Sequence, residues 1–122
     1  MAKLLIIDDD ELSARFFGEV LTGMGYQVAA VSNAPDAFEV IAQDRPDLIL
    51  MDLEMPAMDG VEATRHIKNN PITQALPVII LTAHPEAQAF DEVTMAGADG
   101  FLSKQSDRPT IEAVLAAALS KT

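Results

Sequence analysis

The chain has 122 residues, of which 49% are hydrophobic, and its 19 acidic and 8 basic residues give a formal net charge of -11 at pH 7. This length predicts one domain over residues 1–122, large enough to fold around its own core without a disulfide or a structural metal. The negative charge disfavours direct nucleic-acid binding, and the lack of cysteine excludes thiol chemistry. The apolar run near the N-terminus is too short for a signal peptide or a membrane span, so we expect a cytoplasmic protein.

Apolar runs alternate with amphipathic segments from one end of the chain to the other. The runs predict short strands buried on both faces, and the segments between them carry apolar residues at helical spacing. The predicted strands cover residues 4–7, 26–31, 48–52, 77–81 and 98–102, and the predicted helices cover about 11–24, 33–45, 61–69, 86–96 and 109–119.

The ends of the helices are indicated by capping and breaking residues. Asp10 is predicted to cap the first helix, Pro46 to stop the second and Gly97 to end the fourth. The apolar face predicted for the first helix consists of Leu12, Phe16, Val20, Leu21 and Met24.

Five strand-helix alternations predict the α/β class, with a doubly wound, five-stranded parallel sheet and right-handed crossovers. The matching architecture is the flavodoxin-like (βα)5 fold with strand order 2-1-3-4-5. In that order the first and third strands flank the topological switch point, where open α/β folds bind their ligands.

Those two strands are the ones that end in carboxylates. Asp52 closes the third strand, and the run Asp8-Asp9-Asp10-Glu11 follows the first. An aspartate that closes a strand is more often a turn former than a functional group, so Asp52 alone would carry little weight. Because neighbouring parallel strands bring their carboxyl ends to one edge, the acids are expected to cluster there. Such a cluster predicts a cation site.

Four motifs in this order resemble the receiver domain of two-component response regulators, of the chemotaxis-regulator type. The resemblance covers essentially all 122 residues. The motifs are the acidic pair Asp8-Asp9, Asp52 followed by Met55-Pro56-Ala57-Met58-Asp59-Gly60, the pair Thr82-Ala83 after the fourth strand, and Lys104 after the fifth.

The resemblance implies a role for each acid. Asp52 is the expected phosphoryl acceptor, Asp9 a direct ligand of Mg²⁺ and Asp8 a ligand acting through water, with the backbone carbonyl of Glu54 completing the protein's share of the metal shell. These hard oxygen ligands suit Mg²⁺, which keeps several waters and accepts phosphate oxygens. Asp52 is expected to be ionised near neutral pH and to act as the nucleophile without a general base.

The resemblance also implies how the phosphoryl group is held and sensed. Thr82 is expected to hydrogen-bond it and Lys104 to pair with its charge. Thr82 and Phe101 would form the conformational switch. Glu54 and His84 occupy the variable positions that tune the lifetime of the phosphoryl group, although His84 could also be an ordinary loop histidine.

The implied partners are a histidine kinase or histidine phosphotransfer protein as the donor, and an effector protein bound by the fourth helix, fifth strand and fifth helix. The chain would gain and lose its own phosphoryl group rather than act as an enzyme on a separate substrate. A stand-alone adaptor or relay protein is favoured over a domain of a longer regulator.

Two other α/β classes share parts of the pattern. In a haloacid-dehalogenase-like phosphatase, Asp8 and Asp10 would be the nucleophile and the acid, but Leu12 stands where that class has threonine or valine and Asp52 is left without a role. A flavodoxin-like cofactor protein needs hydroxyls and backbone N–H groups in its first loop, whereas this loop is strongly acidic.

Gln105 follows Lys104 at a position where most receiver domains have proline. The resemblance implies a cis peptide bond in front of that proline. Before a residue other than proline a cis bond costs about 2.5–4 kcal/mol, so we expect a trans Lys104–Gln105 bond, with the turn formed by Ser106 and Asp107.

Overall fold

A computed structural model describes residues 2–83 and 90–120 of the chain. Its sheet has five parallel strands in the order β2-β1-β3-β4-β5. The strands are β1 (Lys3–Ile7), β2 (Gln27–Val31), β3 (Leu48–Asp52), β4 (Val78–Thr82) and β5 (Gly100–Ser103). This arrangement confirms the predicted α/β class, the doubly wound topology and the strand order.

A helix follows each strand. The helices are α1 (Glu11–Gly23), α2 (Ala34–Gln43), α3 (Gly60–Lys68), α4 (Phe90–Ala96) and α5 (Arg108–Leu119). Side chains of Asp10, Asn33, Asp59 and Asp107 cap four of them by accepting a backbone N–H of the first turn. Asp10 therefore caps α1 as predicted. The first residues predicted for the fourth helix, 86–89, lie outside the described part of the chain.

The three central strands are apolar because both of their faces are covered by helices. Every residue of β3 and β4 is buried. One layer of the core lies between the sheet and helices α2, α3 and α4, and the other lies between the sheet and helices α1 and α5. The edge strand β2 has no fully buried residue.

The buried face of α1 agrees with the predicted one only in part, because Leu21, Val20 and Met24 contribute to the core as predicted but Leu12 and Phe16 do not. Phe17 and Leu21 are buried, whereas Leu12 is 78% exposed and Phe16 is 54% exposed. Leu12 and Phe16 are four residues apart, and so are Phe17 and Leu21, so each pair has helical spacing in the sequence. The helix is rotated so that Phe17 rather than Phe16 packs on the sheet. The rings of Phe16 and Phe17 contact each other edge to face, with centroids 5.4 Å apart.

The register of the central strands positions the acids. Ile7 of β1 pairs with Met51 of β3, so Asp8 and Asp52 come next on neighbouring strands at the same edge of the sheet. Within the described residues, no helix is both long enough and apolar enough to cross a membrane.

Candidate functional site

Three carboxylates meet at the carboxyl edge of strands β1 and β3. One oxygen each from Asp8, Asp9 and Asp52 lies within 4.8 Å of the others. Asp8 and Asp52 are 2% and 6% exposed, whereas Asp9 is open to solvent. The acidic cluster predicted from the strand ends is therefore present, with two of its members buried.

The loop after β1 holds Asp8 in place. The backbone N–H of Asp8 donates to the carbonyl of Val31 on β2 at 3.0 Å, and the Asp8 side chain accepts the N–H of Asp10 at 2.9 Å. Asp10 in turn accepts the N–H of Leu12 and the hydroxyl of Ser13. These bonds turn the chain from strand into helix and direct the Asp8 carboxylate towards Asp52.

The segment after Asp52 turns back tightly over the strand end. The N–H of Gly60 donates to the carbonyl of Leu53 at 2.7 Å, and a Cβ added at Gly60 would lie 2.4 Å from the carbonyl oxygen of Asp52. Only glycine fits this approach. Ala57 has a φ of 69°, within a turn in which the N–H of Met58 donates to the carbonyl of Pro56.

Lys104 reaches both buried acids from the end of β5. Its ammonium lies 2.9 Å from Asp8 Oδ2 and 3.4 Å from Asp52 Oδ1. Its backbone N–H donates to the carbonyl of Thr82 at 2.7 Å, which continues the β4–β5 pairing beyond the strand.

The Lys104–Gln105 peptide bond is trans, as predicted. The turn lies earlier in the chain than the predicted residues Ser106 and Asp107: it spans Ser103 to Ser106, with the N–H of Ser106 donating to the carbonyl of Ser103 at 3.0 Å. The Ser103 hydroxyl also accepts the N–H of Gln105 at 3.0 Å. Sequence reasoning overlooked Ser103, although serine is a common turn residue for this reason.

The other predicted site residues are distributed as follows. Thr82 ends β4 and is 6% exposed. Phe101 on β5 is half-buried and packs against the core layer of α2, α3 and α4. Glu54 is exposed in the loop after β3. His84 lies outside the described residues. The roles given to all four remain predictions.

The electrostatics of Asp52 differ from expectation. Burial, reinforced by the negative charge of Asp8, raises the pKa of Asp52 from 3.8 to about 7, although the Lys104 ammonium acts in the opposite direction. Burial and Asp8 thus act against the ionised form of Asp52 that the sequence analysis expects near neutral pH, and Lys104 acts in favour of it. Burial by itself would lower the pKa of Lys104, but its close ion pair with Asp8 and the charge of Asp52 raise it instead.

The Asp8 carboxylate also has an oxygen that could coordinate a cation. Among the described residues, no donor makes a well-directed hydrogen bond to the buried Asp8 Oδ2, for which the Lys104 ammonium serves as a charge partner. A buried carboxylate oxygen with coordination capacity to spare, beside two more carboxylates, fits a hard divalent cation.

Asp10 is engaged in capping rather than directed into the cluster. The Ser13 hydroxyl, followed by the backbone of the first turn, lowers the pKa of Asp10. An acid in a phosphatase of the haloacid-dehalogenase type must hold a proton to donate, and this environment disfavours the protonated form.

The fold and the site together define an α/β domain with an acidic, cation-attracting pocket at the switch point of its sheet. Comparison with known proteins makes the class specific, because a family model described as the response regulator receiver domain matches residues 4–116. The chain belongs to this family of two-component signalling domains. Receiver domains bind Mg²⁺ at an acidic site and work with histidine kinases and effectors.

Individual relatives span different lengths. Protein PilH of Pseudomonas aeruginosa is 34% identical over 122 residues, covering 98% of this chain and 99% of PilH. Response regulator PleD of Caulobacter vibrioides is 36% identical over 106 residues, covering 87% of this chain but only 23% of PleD. The receiver domain of a sensor histidine kinase from P. aeruginosa, whose crystal structure has a magnesium ion in the active site cleft, superposes with a TM-score of 0.89 at 27% identity, with 98% of each chain covered.

Proposed function

We propose that this receiver domain accepts one phosphoryl group on Asp52 from a phosphohistidine of a kinase or phosphotransfer protein. The observation that carries the proposal is the position of the Asp52 carboxylate. It is buried at the switch point, close to the carboxylates of Asp8 and Asp9, and lies 3.4 Å from the Lys104 ammonium. In this setting a carboxylate nucleophile has both a cation site and a fixed positive charge beside it.

Asp8, Asp9, Asp52 and the carbonyl of Glu54 would hold the Mg²⁺ ion. When bound, the ion would neutralise charge on the carboxylates and on the incoming phosphoryl oxygens. A cation would also lower the pKa of Asp52, because opposite charge favours the ionised carboxylate. The raised pKa thus supports a requirement for metal before the nucleophile is fully available at neutral pH.

Asp52, Lys104 and Thr82 would each have a role in the transfer of the phosphoryl group. An Asp52 oxygen attacks the phosphorus, and the bond from phosphorus to the histidine nitrogen breaks, leaving its electron pair on that nitrogen. The Lys104 side chain is largely buried, which restricts the position of its ammonium group, and this group would pair with a phosphoryl oxygen. Thr82, at the end of the neighbouring strand, would donate its hydroxyl to another.

The output follows from the same elements. Thr82 and Phe101 would change position when the phosphoryl group is present, and the surface formed by α4, β5 and α5 would bind an effector protein. The protein would act as a cytoplasmic signalling partner without turning over a separate substrate.

The direct test is phosphorylation by acetyl phosphate in the presence of Mg²⁺, followed by intact-mass and peptide mass spectrometry. We expect one added phosphoryl group on Asp52, its loss in Asp52→Asn and its retention in the matched variant Asp91→Asn. Asp91 is an exposed aspartate in the first turn of α4. Modification that persists in Asp52→Asn, or that is found on another residue, would refute the assignment.

A further inference from the structure

A groove separates the carboxyl-terminal halves of α2 and α3, on the layer opposite α1 and α5. It has a volume of about 320 Å³, at the small end of ligand-binding pockets. Its floor is apolar, formed by Phe38, Ile41 and Ile67, and Ile72 forms the far wall. Because helices run antiparallel to the strands in this fold, the groove lies towards the edge of the sheet opposite the three carboxylates.

The far wall is fixed by hydrogen bonds. Ile72 is 75% exposed, yet its N–H donates to the Asn70 side chain at 2.9 Å and its carbonyl accepts from Arg45 Nη1 at 2.7 Å. The hydroxyl of Thr73 donates to the carbonyl of Ile67 at 2.7 Å and ties the loop to α3. These bonds hold the backbone of Ile72 in place beside the groove while its side chain is exposed.

The formally charged side chain in the groove lining is Arg45, which is basic. Arg45 and His66 line the groove, and no acidic residue does, in a chain with 19 acids and 8 bases. Within the described residues, no carboxylate lies within ion-pair distance of Arg45, and its bond to Ile72 uses one of five donors. The His66 ring packs against Phe38 with centroids 5.6 Å apart, which places an imidazole beside the apolar floor.

We infer that this groove binds a small carboxylic acid with an apolar body, such as an aryl-alkanoic acid. The body would cover Phe38, Ile67 and the exposed face of Ile72, and the carboxylate would accept from Arg45, with His66 at the same rim. Both parts of the ligand are required. The apolar area supplies the driving force, and Arg45, with no acidic residue beside it in the groove lining, supplies the orientation.

The test uses 4-phenylbutyrate and its uncharged counterpart 4-phenyl-1-butanol as probes, titrated into the isotope-labelled full chain and followed by amide NMR shifts. We expect saturable shifts confined to residues 38–45 and 66–73, with a Kd of about 2 mM or tighter, which is an ordinary efficiency for a ligand of this size. The alcohol should bind at least about fivefold more weakly. Equal binding of the alcohol, shifts elsewhere, or shifts that fail to saturate would overturn the inference.

Matched variants separate the groove from general surface effects. Arg45→Gln should weaken 4-phenylbutyrate binding roughly tenfold. Arg15→Gln is the control, because Arg15 lies on α1 with a side chain that is 79% exposed, and this variant should leave the affinity unchanged. Ile72→Ser should weaken both probes, and Leu12→Ser, at nearly equal exposure of the original side chain, should weaken neither. An effect of the two α1 variants equal to that of the groove variants would refute the site.

The inference does not depend on phosphorylation. Asp52→Asn should bind 4-phenylbutyrate with unchanged affinity, because the groove and the carboxylates share no residue. A loss of binding in Asp52→Asn would show that the probe occupies the acidic site or a state coupled to it, and would refute a separate groove site.

Discussion

Replacing Asp52 with asparagine should stabilise the metal-free protein, and the gain should depend on pH. In the folded chain the pKa of Asp52 is raised to about 7, whereas an unfolded aspartate titrates near about 3.9. The folded state therefore holds a proton on Asp52 that the unfolded state releases between these two values. The stability associated with this proton is fully present below about pH 4 and is lost as pH rises through about 7.

The size of the effect follows from the shift. Three units of pKa correspond to at most about 4 kcal/mol, and allowing for solvent screening at the open side of the pocket reduces this to about 2 kcal/mol. Asparagine cannot ionise, so it avoids the loss while keeping the shape of the side chain. Lys104 gives up its 3.4 Å contact with Asp52 but keeps the 2.9 Å contact with Asp8.

The assays are urea unfolding and thermal unfolding with EDTA present, both followed by circular dichroism at pH 4, 6 and 8. We expect Asp52→Asn to exceed the wild type by about 2 kcal/mol at pH 8, about 8 °C in melting temperature, and by little at pH 4. The exposed variant Asp91→Asn should change neither value. Added Mg²⁺ should erase the advantage by stabilising the wild type in proportion to its affinity. No gain at pH 8, or a gain of equal size at pH 4, would refute the electrostatic account.

Three further outcomes follow from the site. Lys104→Ala should leave part of the Mg²⁺-dependent phosphorylation by acetyl phosphate but abolish the accompanying NMR shifts along β4 and β5, and intact shifts would contradict the transmitting role. Gly60→Ala should cost about 1–3 kcal/mol of unfolding free energy because its Cβ would meet backbone at 2.4 Å, whereas Gly18→Ala, with nothing within 4 Å inside a helix, should gain about 0.5–1 kcal/mol. Ser103→Ala should lower stability by about 1 kcal/mol and slow phosphorylation, and an unchanged rate would show that its hydroxyl does not position Lys104.

The sheet was predictable because its strands are encoded locally. An apolar run such as residues 48–51 has few alternatives to a strand buried on both faces, and the topology follows from five repeats of strand and helix. Once the order is known, the register of β1 and β3 brings Asp8 and Asp52 together. The fold class alone was therefore enough to predict that Asp8 and Asp52 lie together, and no detail of side-chain packing was needed.

The face of α1 was less predictable because two stripes compete. Leu12 and Phe16 form one stripe at helical spacing, and Phe17 and Leu21 form another. Which stripe is buried depends on a rotation of the helix by about one residue, and that rotation is set by packing against the sheet and α5. The titration of Asp52 escaped prediction for a related reason, since it depends on burial and on the distance to Asp8.

In the turn after β5, hydrogen bonds to Ser103 fix the chain direction that a proline at position 105 would otherwise fix. A proline after the lysine would fix the chain direction through its ring and its peptide bond, and Gln105 supplies neither. Here the direction comes from three hydrogen bonds: Lys104 N–H to Thr82, Gln105 N–H to the Ser103 hydroxyl, and Ser106 N–H to the Ser103 carbonyl. Two of them end on Ser103, so a residue without a charge or a motif of its own orients the ammonium towards the acids. Because the lysine reaches Asp8 and Asp52 through a trans bond, a proline at this position is not required for the ion pair to form.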